Sequence, residues 1–281
     1  MYAIIIELAP GNGRRTSPPR SLVRCVSYDY VIVPWSIFLF LRTSSFERRF
    51  FYALTTPLLM QPHDLLIAKH DDLWVLDKPY NIPVHPGSKR VTTPDLMTLA
   101  RDILGAPADI APIHRLDKHT SGLVLCSPNP ELRSQLGQEL ADHAIEKTYL
   151  AMVYGHTHKK GSIQLPLFDQ RRKKKLEAIT RYKRLHTFGS CTLLEVQIET
   201  GRKHQIRRHL QSIKHAIVGD TRYRHHRRIK LPAFPNRLWL HAHKLTIPSL
   251  SLTLTCELPP ELQEQLDLLI SLRESNHAEE E

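Results

Sequence analysis

The chain has 281 residues, of which 41% are hydrophobic, and it carries a formal net charge of +11 at pH 7. This apolar content is enough for one large domain or two small ones, so a wholly disordered chain is excluded. The cationic excess indicates a polyanionic partner, and nucleic acid fits better than a membrane because the sequence after residue 60 has neither a basic amphipathic helix nor a lipidation signal.

Residues 1–59 differ from the rest of the chain, with scattered arginines, several glycines and prolines, and an apolar run at 30–41. The run contains Pro34 and is shorter than the roughly 20 residues that a spanning helix needs, so we do not predict a membrane span. Three interpretations stay open: a poorly ordered extension, an RNA-binding arm, or translation from a start codon upstream of the native one. We favour the third as a hypothesis because Met60 directly precedes the predicted domain of residues 60–275. A native peptide that maps before Met60 would count against it.

The predicted domain opens with a hairpin at 64–75, in which two apolar runs flank a polar turn. A loop at 77–87 follows, and its prolines forbid a helix. The loop contains Lys78 and His85. For these two residues taken alone, a site and an ordinary proline-stiffened connection are about equally good interpretations.

Two helices are predicted after this loop. Thr93 and the proline behind it begin the first helix, which ends at Leu104. The second helix has Asn129 as its N-cap and Pro130 at its first position, and it ends near His143. Its leucines recur at intervals of four, as expected for a face that packs on the core.

Between the helices lies the string His-Arg-Leu-Asp-Lys-His-Thr-Ser-Gly at 114–122. Its single carboxylate, Asp117, sits among Arg115, Lys118 and two histidines, and nearby cations favour the charged form of a carboxyl group. An ionised carboxylate is a potential nucleophile. Gly122 permits a tight loop before an apolar run that is typical of a buried strand. Taken alone, an Arg-x-Asp triplet is more often a surface turn with a local ion pair.

A strand is predicted at residues 146–155, where a buried Tyr149 with a satisfied hydroxyl is the simplest interpretation of that segment alone. Five adjacent cations follow further on, three of which are Arg171, Arg172 and Lys173. Such a run is a solvated loop, a phosphate clamp, or both, because the two interpretations are compatible.

Another motif is the string Thr-Gly-Arg-Lys-His-Gln-Ile-Arg-Arg-His-Leu at 200–210. Gly201 permits a sharp turn before Arg202 and then a helix, on which His204 and Arg207 face one object because they are three residues apart. A cationic first turn opposes the helix dipole. An acidic partner is therefore expected, either a phosphate or Asp117.

The remaining segments predict alternating strands at 182–198, a second basic cluster at 222–230, strands at 238–242 and 250–256 that close the sheet, and a helix at 259–272 before an acidic tail at 276–281. The second cluster suits RNA contact or a disordered insertion. Four widely separated cysteines indicate reduced core thiols of a cytoplasmic protein. The His-x-His pairs have no third ligand nearby, so no metal is predicted.

Four of these motifs, in this order, resemble the signatures of the RluA-type pseudouridine synthases. They are the loop at 77–87, the string at 114–122, the strand at 147–155 and the string at 200–209. Every fixed position of the family's His-Arg-Leu-Asp-x-x-Thr-Ser-Gly segment is filled. The first motif departs from the pattern mildly, with Asn81 where glycine is usual, and Asn also tolerates a left-handed backbone.

The resemblance implies an α+β pseudouridine synthase fold, with a mixed, largely antiparallel curved sheet flanked by helices and an RNA cleft across it. Lys203 and Arg208 look most like the tRNA-modifying branch of the family, which lacks a separate N-terminal S4 RNA-binding domain. The implied activity is isomerisation of a uridine in RNA to pseudouridine, with tRNA favoured over rRNA. The resemblance implies no cofactor and no metal, and a monomer is the default.

The resemblance also implies roles for individual residues. Asp117 attacks the uridine at C1′ or C6, Tyr149 stacks on the base and takes its proton, and Arg207 pairs with the carboxylate. Arg115 moves into the helix stack as the base is flipped out. The other predicted RNA contacts are His114, Thr120, Arg202, His204, Lys78, His85, Arg171, Arg172 and Lys173.

Two alternatives come from other classes of protein. The first is a non-catalytic RNA-binding or RNA-chaperone protein on the same fold. The second is a glycosidase, which would need another carboxylate about 5–10 Å from Asp117, and no obvious candidate flanks it in the sequence.

Overall fold

A ten-stranded mixed sheet dominates the computed structural model, which describes residues 62–85, 94–224 and 231–278. The interpretations of the N-terminal extension, of most of the second basic cluster and of the glutamate-rich chain end lie outside these residues. Among the described residues, no helix combines the length and the apolar character needed to cross a membrane.

The strands are β1 Leu66–His70, β2 Leu73–Lys78, β3 Ala111–Pro112, β4 Ser121–Ser127, β5 Glu146–Tyr154, β6 Lys160–Ile163, β7 Leu167–Asp169, β8 Lys174–Leu176, β9 Thr180–Phe188, β10 Cys191–Ile198, β11 Leu240–Ile247 and β12 Leu252–Thr255. The sheet order is β1-β2-β4-β11-β5-β10-β9-β6, with β3 paired to β4 and β12 to β11, while β7 and β8 form a separate two-stranded sheet. Among these pairs, β4 and β11 alone run parallel. The predicted mixed, largely antiparallel sheet is therefore confirmed, as are the hairpin of β1 and β2 and the alternating strands β9 and β10.

The helices are α1 Pro62–Leu65, α2 Leu96–Leu104, α3 Pro130–Ala141, α4 Gln205–Ser212 and α5 Pro260–Ala278, and a 3-10 turn spans Pro248–Leu250. The predicted start of α3 is confirmed. The side chain of Asn129 accepts hydrogen bonds from the amides of Glu131 and Leu132 at 2.9 and 3.2 Å, and Pro130 occupies the first position.

The predicted start of α2 at Thr93 is wrong, because the helix begins at Leu96. Asp95 is the cap: one carboxylate oxygen accepts hydrogen bonds from the amides of Met97 and Thr98 at 3.0 and 3.2 Å. A carboxylate that satisfies two free helix amides determines the boundary more strongly than the preceding Thr-Pro pair does.

Two helix ends and one strand position also differ from the predictions. Helix α3 ends at Ala141 rather than near His143, which takes a left-handed φ of 62°, and Ala144 is exposed. Helix α5 continues to Ala278, beyond the predicted end at residue 272. Strand β11 does not close the sheet but lies in its middle, where it pairs parallel with β4 and antiparallel with β5.

Strand β4 is buried along its whole length, as its apolar sequence predicted. Its start is pressed against β11, where Gly122 pairs with Ala242. Gly122 has a φ of 106°, and a Cβ atom added there would lie 2.3 Å from the Ala242 carbonyl oxygen. Only glycine allows so close an approach of the two backbones.

The three described cysteines, Cys126, Cys191 and Cys256, are buried and do not form disulfides among themselves. Burial raises the pKa of the Cys191 thiol to about 11, so this group stays protonated at neutral pH. This agrees with the expectation of reduced core thiols, although Cys25 lies outside the described residues.

Replacing Gly122 by alanine tests the contact between β4 and β11. Gly122→Ala should lower the free energy of unfolding by about 2–4 kcal/mol, because it adds both backbone strain and overlap with Ala242. Gly137→Ala is the matched control, since an added Cβ within α3 meets no described atom within 4 Å and should raise stability by about 0.5–1 kcal/mol. Urea denaturation of both variants checks the prediction, and equal effects of the two substitutions would contradict it.

Candidate active site

A cleft of about 350 Å³ brings together eight of the residues predicted from the sequence. These residues are His114, Arg115, Asp117, Thr120, Tyr149, Arg202, His204 and Arg207. They come from three motifs that are far apart in the chain. The other five predicted residues, Lys78, His85, Arg171, Arg172 and Lys173, do not line it.

The segment between β3 and β4 presents Asp117 to the cleft. The amide of Thr120 donates a hydrogen bond to the Asp117 carbonyl at 3.0 Å, which closes a tight turn before β4. His114 fixes the other side of the segment, because its Nε2 accepts a hydrogen bond from the Leu125 amide at 3.1 Å. Burial and the charge of Lys147 lower the pKa of His114 to about 4, so its imidazole is neutral at pH 7.

Lys78 supports the Asp117 segment from behind. Its ammonium donates to the carbonyls of Pro79 and Ile82 at 2.8 Å each and to that of Lys118 at 3.2 Å, so it ties the first loop to the residue after Asp117. Burial, and next the charge of Arg237, lower the pKa of Lys78 to about 7. The side chain is fully buried, so the prediction that Lys78 contacts RNA does not fit the structure.

Arg207 and His204 both point at Asp117, as predicted, but His204 is the N-cap of α4 with a left-handed φ of 54° rather than a residue on the helix face. Arg207 Nη1 lies 4.0 Å from Asp117 Oδ2, and His204 Nε2 lies 3.7 Å from Asp117 Oδ1. The Asp117 side chain is 27% exposed, whereas that of Arg207 is only 4% exposed. A buried cation thus faces a carboxylate that remains open to the cleft.

The principal partner of Arg207 is Asp220, which sequence reasoning missed. Arg207 Nε and Nη2 donate to the two carboxylate oxygens of Asp220 at 2.7 and 2.8 Å. The amides of Arg222 and Tyr223 donate to Asp220 at 2.9 and 2.8 Å. Burial alone would raise the pKa of Asp220, but these hydrogen bonds and the charge of Arg207 outweigh it and lower that pKa.

Asp220 does not qualify as the second carboxylate of a glycosidase. Its side chain is fully buried, and its oxygens already accept four hydrogen bonds. Its lowered pKa keeps it ionised, whereas a general acid must hold a proton near neutral pH. The geometry therefore leaves Asp117 as the carboxylate of the cleft that a substrate can reach.

Tyr223 packs against both residues that face Asp117, Arg207 and His204. Its ring lies 5.1 Å from the Arg207 guanidinium carbon, and its hydroxyl is 3.1 Å from His204 Nδ1. Burial lowers the pKa of His204, an effect that the charge of Asp117 opposes. The tyrosine hydroxyl therefore occupies Nδ1 of His204, while Nε2 faces Asp117 at 3.7 Å, beyond hydrogen-bond length.

Tyr149 lies on β5 and forms another wall of the cleft, with only 8% of its surface exposed. Burial, and next the negative charge of Asp117, raise the pKa of its phenol above the ordinary value of 10. The phenol is therefore protonated at neutral pH. A protonated phenol is consistent with a surface on which a base stacks, and it argues against a phenolate that is already present to act as a base.

Arg115, Arg202 and His85, three further predicted RNA contacts, lie at or near the surface, whereas Thr120 is buried. Arg115 is exposed beside the cleft, and Arg202 is half-buried, with its Nε donating to the Glu177 carbonyl at 2.9 Å. His85 is half-buried at the end of the first described segment. Earlier in that loop Asn81 has a φ of 65°, the left-handed conformation that its amide side chain was expected to tolerate.

Arg171, Arg172 and Lys173 are exposed on the turn between β7 and β8. The carboxylate of Asp169 accepts hydrogen bonds from the amides of Arg171 and Arg172 at 2.8 and 2.9 Å. Asp169 thus closes the turn from which the cationic side chains extend. The run that was predicted as a solvated loop is therefore part of an ordered, exposed β-hairpin.

Comparison with known proteins gives matches that all carry the name of pseudouridine or pseudouridylate synthases. The family model described as RNA pseudouridylate synthase matches residues 72–212. The chain is similar to tRNA pseudouridine synthase C of Haemophilus ducreyi, with 34% identity over 206 residues that make up 64% of this chain and 83% of the relative. It is also similar to ribosomal large subunit pseudouridine synthase D of Zymomonas mobilis, with 29% identity over 241 residues and 75% of each chain covered.

Solved structures agree with these sequence similarities. The model is similar to human RNA pseudouridylate synthase domain containing 4, with a TM-score of 0.61 and 25% identity over 73% of this chain and 92% of that one. A second human structure, RNA pseudouridylate synthase domain containing 1, has the same fold, with a TM-score of 0.57 and 20% identity over 74% and 93% of the two chains.

Removal of the Asp220 charge tests the ion pair that holds Arg207. Asp220→Asn should cost about 3–5 kcal/mol of unfolding free energy at pH 7, because it leaves a buried guanidinium without its counter-charge. The pKa of Asp220 is lowered in the folded state, so its contribution is present above the ordinary value of 3.8 and is lost as the pH falls below it. The deficit of the variant should therefore shrink in urea titrations from pH 7 to pH 3.

Asp102→Asn is the control for that experiment. Asp102 is exposed on α2, and its replacement should change stability by less than about 0.5 kcal/mol at any pH. A deficit of Asp220→Asn that stays constant with pH would contradict the assigned ion pair.

Proposed function

The chain belongs to the RNA pseudouridylate synthase family, and from this premise we propose that Asp117 is the nucleophile with which it isomerises a specific uridine in RNA. One observation carries the proposal. Asp117 is a partly exposed carboxylate in a cleft, with the guanidinium of the buried Arg207 at 4.0 Å and the imidazole of His204 at 3.7 Å.

Access to Asp117 requires the target base to leave its stack. Extrusion of a base from a helix costs a few kcal/mol, and an inserted side chain offsets part of that cost. Arg115 is exposed beside the cleft and stands two residues before Asp117. We propose that its guanidinium occupies the gap left by the flipped uridine.

The spacing of the Arg207 contacts suits a nucleophilic role for Asp117. Arg207 directs two short hydrogen bonds at Asp220 and keeps a longer contact to Asp117. The longer contact supplies a stabilising charge without tying up the carboxylate oxygen in a short hydrogen bond. That oxygen of Asp117 thus remains available for attack.

The reaction divides into steps that balance without a co-reactant. The Asp117 carboxylate attacks C1′ of the ribose or C6 of the ring, and the bond between N1 and C1′ breaks. The uracil rotates and forms a bond from C5 to C1′ as Asp117 is released. C5 then loses a proton and N1 gains one, so the product is an isomer of the substrate.

The raised pKa of Tyr149 restricts how it can assist the last step. A protonated phenol accepts the C5 proton only if its own proton leaves at the same time. We propose that Tyr149 stacks on the base and relays the C5 proton to the carboxylate of Asp117, the negative charge that acts on this phenol. The proton then passes from Asp117 to N1 through solvent, which completes the product and restores the carboxylate.

We propose tRNA rather than rRNA as the substrate, on the basis of the tRNA synthase relative and of Lys203 and Arg208, which look like the tRNA-modifying branch. Arg202, Arg171, Arg172 and Lys173 would contact phosphates, which fix the position of the RNA without reading its sequence. A cytoplasmic monomer is the simplest form of such an enzyme, and its buried thiols support a reducing compartment.

Asp117→Asn separates catalysis from binding. The variant should fold normally and bind RNA with unchanged affinity, yet form no pseudouridine, because an amide is not a nucleophile. Mapping of pseudouridine in tRNA from cells that carry either form measures the outcome and identifies the modified position. Asp102→Asn serves as the control, and normal turnover by Asp117→Asn would rule out the assigned nucleophile.

Tyr149→Phe tests the proton relay. Loss of the hydroxyl should slow single turnover by about 100- to 10,000-fold, the range of a general acid or base, while the ring still stacks on the base. RNA with deuterium at C5 of the target uridine should show a larger isotope effect with the variant than with the wild type, since removal of that proton becomes rate-limiting. An unchanged rate and isotope effect would contradict the relay.

A further inference from the structure

The hairpin of β7 and β8 combines an exposed aromatic ring with a dense cluster of positive charge. Phe168 is 50% exposed, and Leu165, just before the hairpin, is 48% exposed. Five consecutive cations, Arg171, Arg172, Lys173, Lys174 and Lys175, follow in the same hairpin and are all exposed. A single exposed apolar residue needs no explanation, but a large ring beside five cations is an unusual surface.

The strand register gives the hairpin two different faces. Leu167 pairs with Leu176, and Phe168 pairs with Lys175. Directly opposed residues project to the same side of a two-stranded sheet, and neighbouring pairs alternate. Leu167 is buried, so the opposite face presents the Phe168 ring and the Lys175 side chain together to solvent.

The base of the hairpin is fixed to the helix that carries Arg207. His209, fully buried on α4, places its Nε2 2.9 Å from the Leu165 carbonyl, and Arg208 Nη1 donates to the Phe168 carbonyl at 3.3 Å. Beyond β8, the Glu177 carbonyl accepts a hydrogen bond from Arg202, a residue of the cleft wall. The hairpin is therefore held in place next to the cleft.

We propose that Phe168 stacks on an unpaired nucleotide that neighbours the target uridine, while the cations of the hairpin contact the adjacent phosphates. Single-stranded RNA is recognised by this combination of aromatic rings and a positively charged track. The inference rests on the proposed function, because it assigns the RNA segment beside the nucleotide that Asp117 attacks. It adds a base contact to a surface whose phosphate contacts carry no sequence information.

The charge of the hairpin favours RNA, rather than a second copy of the chain, as the partner that binds its exposed face. Two hairpins that met face to face would bring ten cations together in a chain that already carries a net charge of +11. Like charges at close range repel, whereas RNA phosphates release counterions when these side chains neutralise them. An unpaired nucleotide also offers a π-face to Phe168, which a folded acidic protein surface does not.

The test uses short single-stranded RNAs with a central uridine and the fluorescent base 2-aminopurine placed in turn at each neighbouring position. The wild-type protein should quench one of these positions through stacking. Phe168→Ala should abolish this quenching and weaken binding about tenfold, and Phe168→Tyr should restore both. The salt dependence of binding should stay the same in Phe168→Ala, since no charge is removed.

Two controls isolate the ring from the charge of the hairpin. An RNA with an abasic residue at the quenched position should bind wild type and Phe168→Ala equally. Leu250→Ala removes a 41% exposed side chain outside the hairpin and should leave binding of every RNA unchanged. Circular dichroism checks that the Phe168 variants fold.

Three results would overturn the inference: no quenching that depends on Phe168, equal weakening by Phe168→Ala for the abasic and intact RNAs, or a dimer in sedimentation that Phe168→Ala abolishes. The test measures binding alone, so it stands apart from catalysis. If Phe168-dependent quenching is found while Asp117→Asn turns over normally, the nucleophile is wrong and the stacking is right. If Asp117→Asn forms no pseudouridine while wild type does, and Phe168→Ala binds like wild type, the nucleophile is right and the stacking is wrong.

Discussion

The candidate site depends on one buried guanidinium that is shared between two carboxylates. A cation with 4% exposure is unstable unless its hydrogen bonds and its charge are compensated inside the protein. Asp220 provides that compensation through two short hydrogen bonds and is itself held by two backbone amides. The remaining nitrogen of Arg207 faces Asp117 as a fixed charge. The cationic helix start, which is unfavourable on its own, is thus explained by two acids rather than one.

Asp117 and Tyr149 reach the cleft from either side of one strand of the sheet. Asp117 precedes β4 and Tyr149 lies on β5, and β11 separates these two strands in the ladder. Adjacent strands lie about 4.8 Å apart, so the width of β11 helps to set how far the carboxylate and the phenol can be from each other. The close approach at Gly122 keeps β4 against β11. The backbone contact at Gly122 therefore helps to set the distance between Asp117 and Tyr149 in the cleft.

Sequence patterns predicted the parts of this arrangement that leave a local or family signature. Periodicity and caps predicted α3 and most strands, and spacing predicted that His204 and Arg207 would face one object. Asp220 was not predicted because a carboxylate in a loop, thirteen residues after its partner, has no periodic relation to it. The buried role of Lys78 was missed for a related reason: its three acceptors are backbone carbonyls, which any sequence supplies. The central position of β11 could not be predicted either, because an apolar run does not indicate which strands it will pair with.

The position of β11 has a consequence for how the protein is made. In the described ladder, β1, β2 and β4 connect to β5, β10, β9 and β6 only through β11, which follows all of these strands in the chain. Chains are synthesised from the N-terminus, and structure forms on the ribosome as segments emerge. In a nascent chain that has not yet exposed residue 247, Asp117 and Tyr149 belong to two groups of strands that still lack β11 between them. The two parts of the candidate site therefore come into register only after β11 has been synthesised.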